Sequence, residues 1–165
     1  MTEFVIRPAR EADVPAILEI VNHAILHTTA NYDYEPHSLE TELQWFHDKQ
    51  SNNFPILVAD YSDKILGFAS YGPFRSRHGY RFTVEHSVYV HPDFTGKKIG
   101  SALLEKLIET ARFEGYHLMI GGIDASNENS IRFHEKFGFE RCGLITEAAF
   151  KFGRWLDLQF MSLKL

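Results

Sequence analysis

Thr83 to Ser101 reads T-V-E-H-S-V-Y-V-H-P-D-F-T-G-K-K-I-G-S, and this stretch decides the fold. It opens as an alternating strand, with Phe82, Val84, His86, Val88 and Val90 directed to one face and Thr83, Glu85, Ser87 and Tyr89 to the other. A Pro-containing corner follows, then a Gly/Lys loop from Thr95 to Ser101 that runs into a segment whose apolar residues recur at helical spacing. The first amides of a helix have no intrahelical partner and sit at the positive end of its dipole, so they can hold a phosphate. Gly96 and Gly100 let the backbone approach a ligand closely, and Lys97 and Lys98 add charge. The pattern favours a diphosphate, with a plain strand-to-helix turn as the alternative. It is neither a Walker loop nor a dinucleotide fingerprint, since both lack a match here.

Outward from this stretch, the chain alternates periods. Towards the N-terminus, Glu3 to Arg7 reads as a short strand stopped by Pro8. Asp13 can cap a helix whose inner stripe is Val14, Ile17, Leu18, Val21 and Ile25. Thr28 to Pro36 has no period and is a loop, with Asn31, Tyr32, Tyr34 and Glu35 available to line a pocket. Ser38 caps a second helix with Leu39, Leu43 and Phe46 inward. Phe54 to Tyr61 and Lys64 to Tyr71 form a hairpin across Ser62-Asp63, and Gly72-Pro73 breaks the second strand. A loop carrying Arg75 and Arg77 leads to the strand from Tyr80 to Val90. Beyond the central stretch, Gly115 closes its helix. His117 to Asp124 is a strand, Asn127 or Ser126 caps a helix through Phe137, and two extended segments around Glu140 to Ala148 and Trp155 to Leu163 follow. The order β-α-α-β-β-β-α-β-α-β-β predicts an α/β fold, one mixed sheet with helices on both faces, in a single domain over residues 1–165.

Composition narrows the class. With 165 residues, 44% apolar and 24% charged, the chain has the make-up of a globular domain with one substantial core. A net charge of −5 without a dense Lys/Arg block argues against nucleic acid as a partner. No apolar run reaches the roughly 18 residues of a membrane span, so no membrane partner is expected. The start M-T-E-F-V-I-R-P lacks the features of a secretory leader, and the single Cys142 permits no internal disulfide framework. Both point to the cytoplasm.

Several side chains could carry chemistry. Glu85 sits between hydroxyl-bearing residues on one strand face, either as a solvated residue or as a working carboxylate. His86, among valines, reads as a core histidine with a satisfied ring nitrogen rather than a catalyst. Asn127, Ser130 and His134 share one helical stripe, where His134 is either a surface residue or a proton carrier. His23 and His27 have metal-compatible spacing, but no third ligand is suggested and no metal is expected. Ser87 lacks a nucleophile elbow and Cys142 a nearby histidine.

These pieces, in this order, resemble the GNAT superfamily of N-acetyltransferases over nearly the whole chain. They are most similar to its phosphinothricin and methionine sulfoximine acetyltransferases. The resemblance rests on N-H-A-I-L-H-T-T-A (22–30), F-P-I-L-V-A (54–59), G-F-A-S-Y-G-P-F-R (67–75) and T-V-E-H-S-V-Y-V-H-P (83–92). It continues through G-K-K-I-G-S-A-L-L (96–104), I-R-F-H-E-K-F-G-F (131–139) and K-F-G-R-W-L-D-L (151–158). The resemblance implies a mostly antiparallel sheet splayed into a V between strands 4 and 5. It implies acetyl-CoA as co-substrate, with its arm beside Val88, Tyr89 and Val90 and its pyrophosphate on Gly96, Lys97, Lys98, Ile99, Gly100 and Ser101. Asn127 and Ser130 would lie nearby, and the Val88 N–H would be the oxyanion donor. The family's pyrophosphate pattern has Arg or Gln where Thr95 stands and Gly where Lys98 stands, which leaves the turn at Lys98 open.

The resemblance further implies direct transfer to the α-amino group of a small amino acid in a ternary complex. Glu85 would be the base, and His134 the acid for the leaving thiolate or a sharer of the base role. Arg75 and Arg77 would clamp substrate anions, with Arg77 equally readable as a solvated loop residue. Phe74, Tyr32, His86 and Ser87 would complete the substrate site. It also implies a homodimer paired through the aromatic segment Phe150 to Trp155. Acetylation of protein N-termini or polyamines, or a non-catalytic acyl-CoA sensor, are the alternatives.

Overall fold

A computed structural model describes residues 3–165; Met1 and Thr2, the first two residues of the stretch read for a secretory leader, lie outside them. Seven strands form one sheet in the order β1-β2-β3-β4-β5-β7-β6. They are β1 (Val5–Pro8), β2 (Ile56–Tyr61), β3 (Lys64–Pro73), β4 (Thr83–Val90), β5 (Leu118–Asp124), β6 (Glu140–Lys151) and β7 (Arg154–Lys164). The helices are α1 (Val14–His27), α2 (Leu39–Ser51), α3 (Ile99–Phe113) and α4 (Glu128–Glu135). Every strand pairing is antiparallel except β4 with β5.

Both sheet faces are covered because β2 and β3 are apolar on both sides. Leu57, Ala59, Leu66 and Ala69 meet α3, while Ile56, Val58, Ile65 and Phe68 meet α1 and α2. On α3, Ile99, Leu103, Leu104, Leu107, Ile108 and Ala111 form one buried stripe. Each leucine so buried contributes roughly 1.5–3 kcal/mol.

Local signals were overridden in several places. Pro8 does not stop β1 but is its last residue, opposite Leu57, as an edge strand permits. Gly72-Pro73 do not break β3; they pair with Glu85 and Val84. Pairing of β2 with β3 ends at Ile56 and Ser70, so the N–H that Pro73 lacks would have faced a side already vacant. Asp13 does not cap through its side chain, because its carboxylate takes the Arg7 guanidinium at 2.7 Å and the Arg10 amide at 2.7 Å. Leu39 is exposed rather than inward, and Leu18 is only half-buried. Glu42 is buried on α2 instead, bonded to His37 Nδ1 at 2.9 Å. The last hairpin turns in two residues, Phe152-Gly153, both at positive φ, so β6 runs on to Lys151, beyond the Ala148 read from sequence.

The sheet opens between β4 and β5. Their parallel pairing covers only Thr83 with Leu118, Val84 with Met119 and Glu85 with Ile120. Past Glu85 the two strands diverge, because β4 continues antiparallel to β3 as far as Val90 while β5 follows β7 to Asp124. This is the V between strands 4 and 5 that the resemblance implied.

Candidate active site

The phase of the β3–β4 ladder fixes what faces the opening. Phe74 N–H donates to Thr83 C=O and His91 N–H to Leu66 C=O. Odd-numbered residues of β4 therefore bond β3, and even-numbered ones turn their backbone towards β5. Beyond Glu85 no strand runs alongside. The N–H and C=O of Val88 and the N–H of Val90 thus face the opening, whereas the Tyr89 backbone is turned to β3.

The strand's end leads into a phosphate-sized cradle. Gly96 and Lys98 both take positive φ, +76° and +63°, and Lys98 is the N-terminal flanking residue of α3. Its carbonyl accepts the first helical bond, from the Ala102 N–H, so the amides of Ile99, Gly100 and Ser101 precede any intrahelical partner. The left-handed turn at Lys98 explains why glycine is the family's residue there. A Cβ added to Gly100 would meet Val90 at 3.4 Å and Val88 at 4.0 Å, so the missing side chain leaves a trough beside β4.

A cavity of about 780 Å³ occupies the V. His86, Val88, Gly100, Phe133 and His134 wall it from the α3 side, and Ile20, His23, Thr28 and Thr29 from the α1 side. Those helices cover opposite faces, so the cavity passes through the sheet where the strands part. Of the residues singled out in the sequence, Ser87, Tyr89, Val90, Gly96, Lys98, Ile99, Ser101, Asn127 and Ser130 also line it. Asn127 caps α4 by accepting the Ser130 N–H.

Other singled-out residues stand elsewhere. The Lys97 ammonium rests 4.8 Å over the Phe94 ring and does not line the cavity. Arg75 is exposed and stacks over Phe74 and Tyr80, and Arg77 is exposed in the same loop; neither wall includes them. Phe74 packs against Phe160. Tyr32 is outside the wall, with its hydroxyl buried and unpartnered.

His134 lines the cavity, whereas Glu85, the expected base, lies on the other sheet face and is not among the lining residues. Glu85 is half-buried, and its Oε1 lies 3.4 Å from where a Gly122 side chain would begin, in a space shared with Leu158 and Phe160. Burial pushes its carboxyl above the ordinary range. His134 is 6% exposed. Burial pushes its imidazole down, only partly offset by the Ser130 carbonyl 2.7 Å from Nδ1. That carbonyl can only accept, so Nδ1 carries the proton and Nε2 the lone pair. At neutral pH His134 is thus a proton acceptor and becomes a donor only after taking a proton.

His86 departs from the expectation of a satisfied core histidine: neither ring nitrogen has a partner. Each group left unmet in this way costs roughly 1–3 kcal/mol. The ring stacks on His134 instead, 5.0 Å away.

Sequence reasoning missed the far rim of the cavity. Asp124, 4% exposed, ends β5 and lines it. It accepts bonds from Thr29 Oγ1 at 2.6 Å and from Ser126 N and Oγ at 3.0 and 2.8 Å. Burial pushes its carboxyl up, but these bonds and Arg154 prevail and hold it below the ordinary range. The Thr-Thr after α1 was on view in the sequence, but nothing there indicated its partner 95 residues on.

A sheet split beside a helix N-terminus, with an unpaired strand edge between, defines a site for an extended, phosphate-bearing co-substrate. The acetyltransferase (GNAT) family model matches residues 19–139, and the chain belongs to that family. It is an N-acetyltransferase. It is 46% identical over 160 residues to the L-methionine sulfoximine/L-methionine sulfone acetyltransferase of Salmonella typhimurium, covering 97% of this chain and 94% of that one. Among solved structures it resembles the phosphinothricin acetyltransferase of Sinorhizobium meliloti in complex with acetyl-CoA. The TM-score there is 0.95 and the identity 38%, over 100% of this chain and 89% of that one. It likewise resembles a ribosomal-protein-alanine N-acetyltransferase of Brucella melitensis, with TM-score 0.96 and 45% identity over 98% and 99% of the two chains.

Proposed function

We propose that this enzyme transfers acetyl from acetyl-CoA to the α-amino group of small amino acids, with methionine sulfoximine, methionine sulfone and phosphinothricin as substrates. One observation carries the reading: the free edge of β4 at Val88 and Val90 runs directly into the unpartnered amides of Ile99, Gly100 and Ser101. A donor with an extended, amide-bearing arm and a diphosphate fits both. The similarity to acetyltransferases of small amino acids supports the choice of amine.

Bound there, the donor supplies a thioester carbonyl open to attack. The Val88 N–H, aimed into the V, donates to the oxygen on which negative charge builds. Glu85, directly or through water, takes one proton from the ammonium form of the substrate, and its raised pKa brings it closer to that of the amine. His134 Nε2 accepts the proton released as the new C–N bond forms and returns it to the departing thiolate. No covalent enzyme intermediate is needed, and much of the rate comes from holding the two reactants in line. Arg75, exposed and stacked over Phe74, is the candidate clamp for the substrate carboxylate.

The similarity to a ribosomal-protein acetyltransferase favours a second reading, in which the amine is a peptide N-terminus. We place the enzyme in the cytoplasm as a homodimer. The exposed β6–β7 hairpin, with Phe150, Phe152 and Trp155 on it, supports the dimer.

The test is thiol release from acetyl-CoA across a panel of amino acids, peptides and polyamines. The expected result is turnover of methionine sulfone and phosphinothricin far above any peptide. Preference for peptides would establish the second reading, and no turnover with CoA binding intact would make the protein a sensor. Glu85→Gln should lower kcat by about 10²-fold or more; an unchanged kcat at neutral pH removes Glu85 from the mechanism.

A further inference from the structure

Two imidazoles stand together at the inner wall of the V. His86 of β4 and His134 of α4 stack with centroids 5.0 Å apart and planes 15° from parallel. Phe139 closes edge-on against both, at 5.4 and 5.3 Å, and Phe133 stands edge-on to His134 at 5.2 Å. On β5, Gly121 makes room for the pair. A Cβ there would lie 3.1 Å from His86 Nε2 and 3.7 Å from His134 Cδ2. Both His86 nitrogens and His134 Nε2 are buried with no hydrogen-bond partner. A buried histidine that makes no hydrogen bond does not serve stability through its polar atoms. What His86 does make is a flat contact with the ring that presents the proton-accepting nitrogen.

We propose that His86 is a positioning residue for His134. Stacked on that imidazole, it excludes water from one face of the ring and holds it in the orientation in which Nε2, left bare by the Nδ1–H bond to the Ser130 carbonyl, receives the amine proton. The inference rests on the reading of His134 as proton acceptor in acetyl transfer.

The surroundings bring no other charge to bear. Glu85, the neighbour of His86 in β4, points to the opposite face of the sheet, towards Gly122. On α4, Arg132 and Glu135 are exposed, and Glu135 pairs with Arg141 outside. β5 contributes a glycine, and Phe133 and Phe139 are neutral. His134 therefore answers to burial and to the Ser130 carbonyl, and His86 to burial and to His134. Burial and the neighbouring His134 push the His86 imidazole down to about 3, so His86 stays neutral while His134 cycles its proton. A single proton is what the transfer needs: one leaves the amine, one reaches the thiolate, and the stack ends as it began.

Nitrogen-15 NMR of the ligand-free enzyme reads the His134 tautomer and titration directly, without turnover. The wild type should show a proton on Nδ1, none on Nε2, and a midpoint below the ordinary histidine value of 6.5. His86→Phe keeps a flat aromatic face and should leave that midpoint below 6.5. His86→Ala admits water and should move it up towards 6.5, with the acid limb of kcat/KM moving the same way. If the Ala protein does not fold, His86→Asn, which also opens the face, replaces it. A wild-type His134 midpoint in the opened variant, or a proton on Nε2 in the wild type, overturns the proposal. Loss of the amino-acid reading in the substrate panel, with these titrations as expected, would leave the contact standing and remove only its catalytic purpose.

Discussion

Burial acts in opposite directions on Glu85 and His134. It keeps the carboxyl protonated to higher pH than the ordinary value of 4.5, and keeps the imidazole neutral to lower pH than the ordinary 6.5. Both must be deprotonated to act, so activity should be lost as pH falls, through a limb that the raised carboxyl keeps above 4.5. A pH profile of kcat/KM checks this, and an acid limb below 4.5 contradicts the assignment. Lys98 holds a left-handed turn that costs a non-glycine residue about 1–2 kcal/mol, part of which glycine gives back as unfolded-state entropy. Lys98→Gly should therefore raise stability by about 1 kcal/mol or less in urea titration; a loss would show that the lysine side chain contributes something the backbone does not reveal. At this scale the sequence displayed the residue types but not their surroundings. Glu85 and His134 could each be read as surface residues, because Glu85 is covered by Leu158 and Phe160 and His134 by His86, all distant in the chain from the residue they cover.

Element by element, the order of strands and helices was legible because the two periods, 2 and 3.6, alternate cleanly along the chain. Boundaries failed where pairing outvoted a local breaker, as at Pro73. One link was invisible. Lys151, at the end of β6, is 3% exposed. Its ammonium donates to Ile25 O at 2.6 Å, Thr28 O at 2.9 Å and Asn31 O at 2.5 Å. The last hairpin thereby holds the loop that carries Thr29 to Asp124 at the cavity rim. Lys151→Met leaves three carbonyls without that donor. We expect a loss of roughly 1–3 kcal/mol and a raised KM for the amine, read by thermal melting and steady-state kinetics. Unchanged values of both would show that the loop is held from elsewhere.

Over the whole molecule, β6 is an edge strand exposed along nearly its full length, and Leu144, Ile145, Phe150, Phe152 and Trp155 are each at least 45% exposed. An uncovered edge with large apolar side chains invites a second copy. The native mass should be twice 19.0 kDa, and Trp155→Glu should shift light scattering towards the monomer; a wild-type monomer at micromolar concentration counts against the dimer. The sequence by itself determined the sheet, the helices, the family and the Gly/Lys turn into α3, because each rests on periods and turns within a short run of chain. Only the tertiary structure decided that pairing of β4 with β5 stops at Glu85. It likewise set Glu85 and His134 on opposite faces of the sheet, stacked His86 on His134, and left Arg75 exposed outside the cavity wall. Strand divergence, ring stacking and desolvation arise between segments far apart in the chain, and no local pattern encodes them. Thr83 to Ser101 supplies the free strand edge and the amides. The neighbours that turn them into a cavity come from α1 and the loop after it, from β5 and from α4.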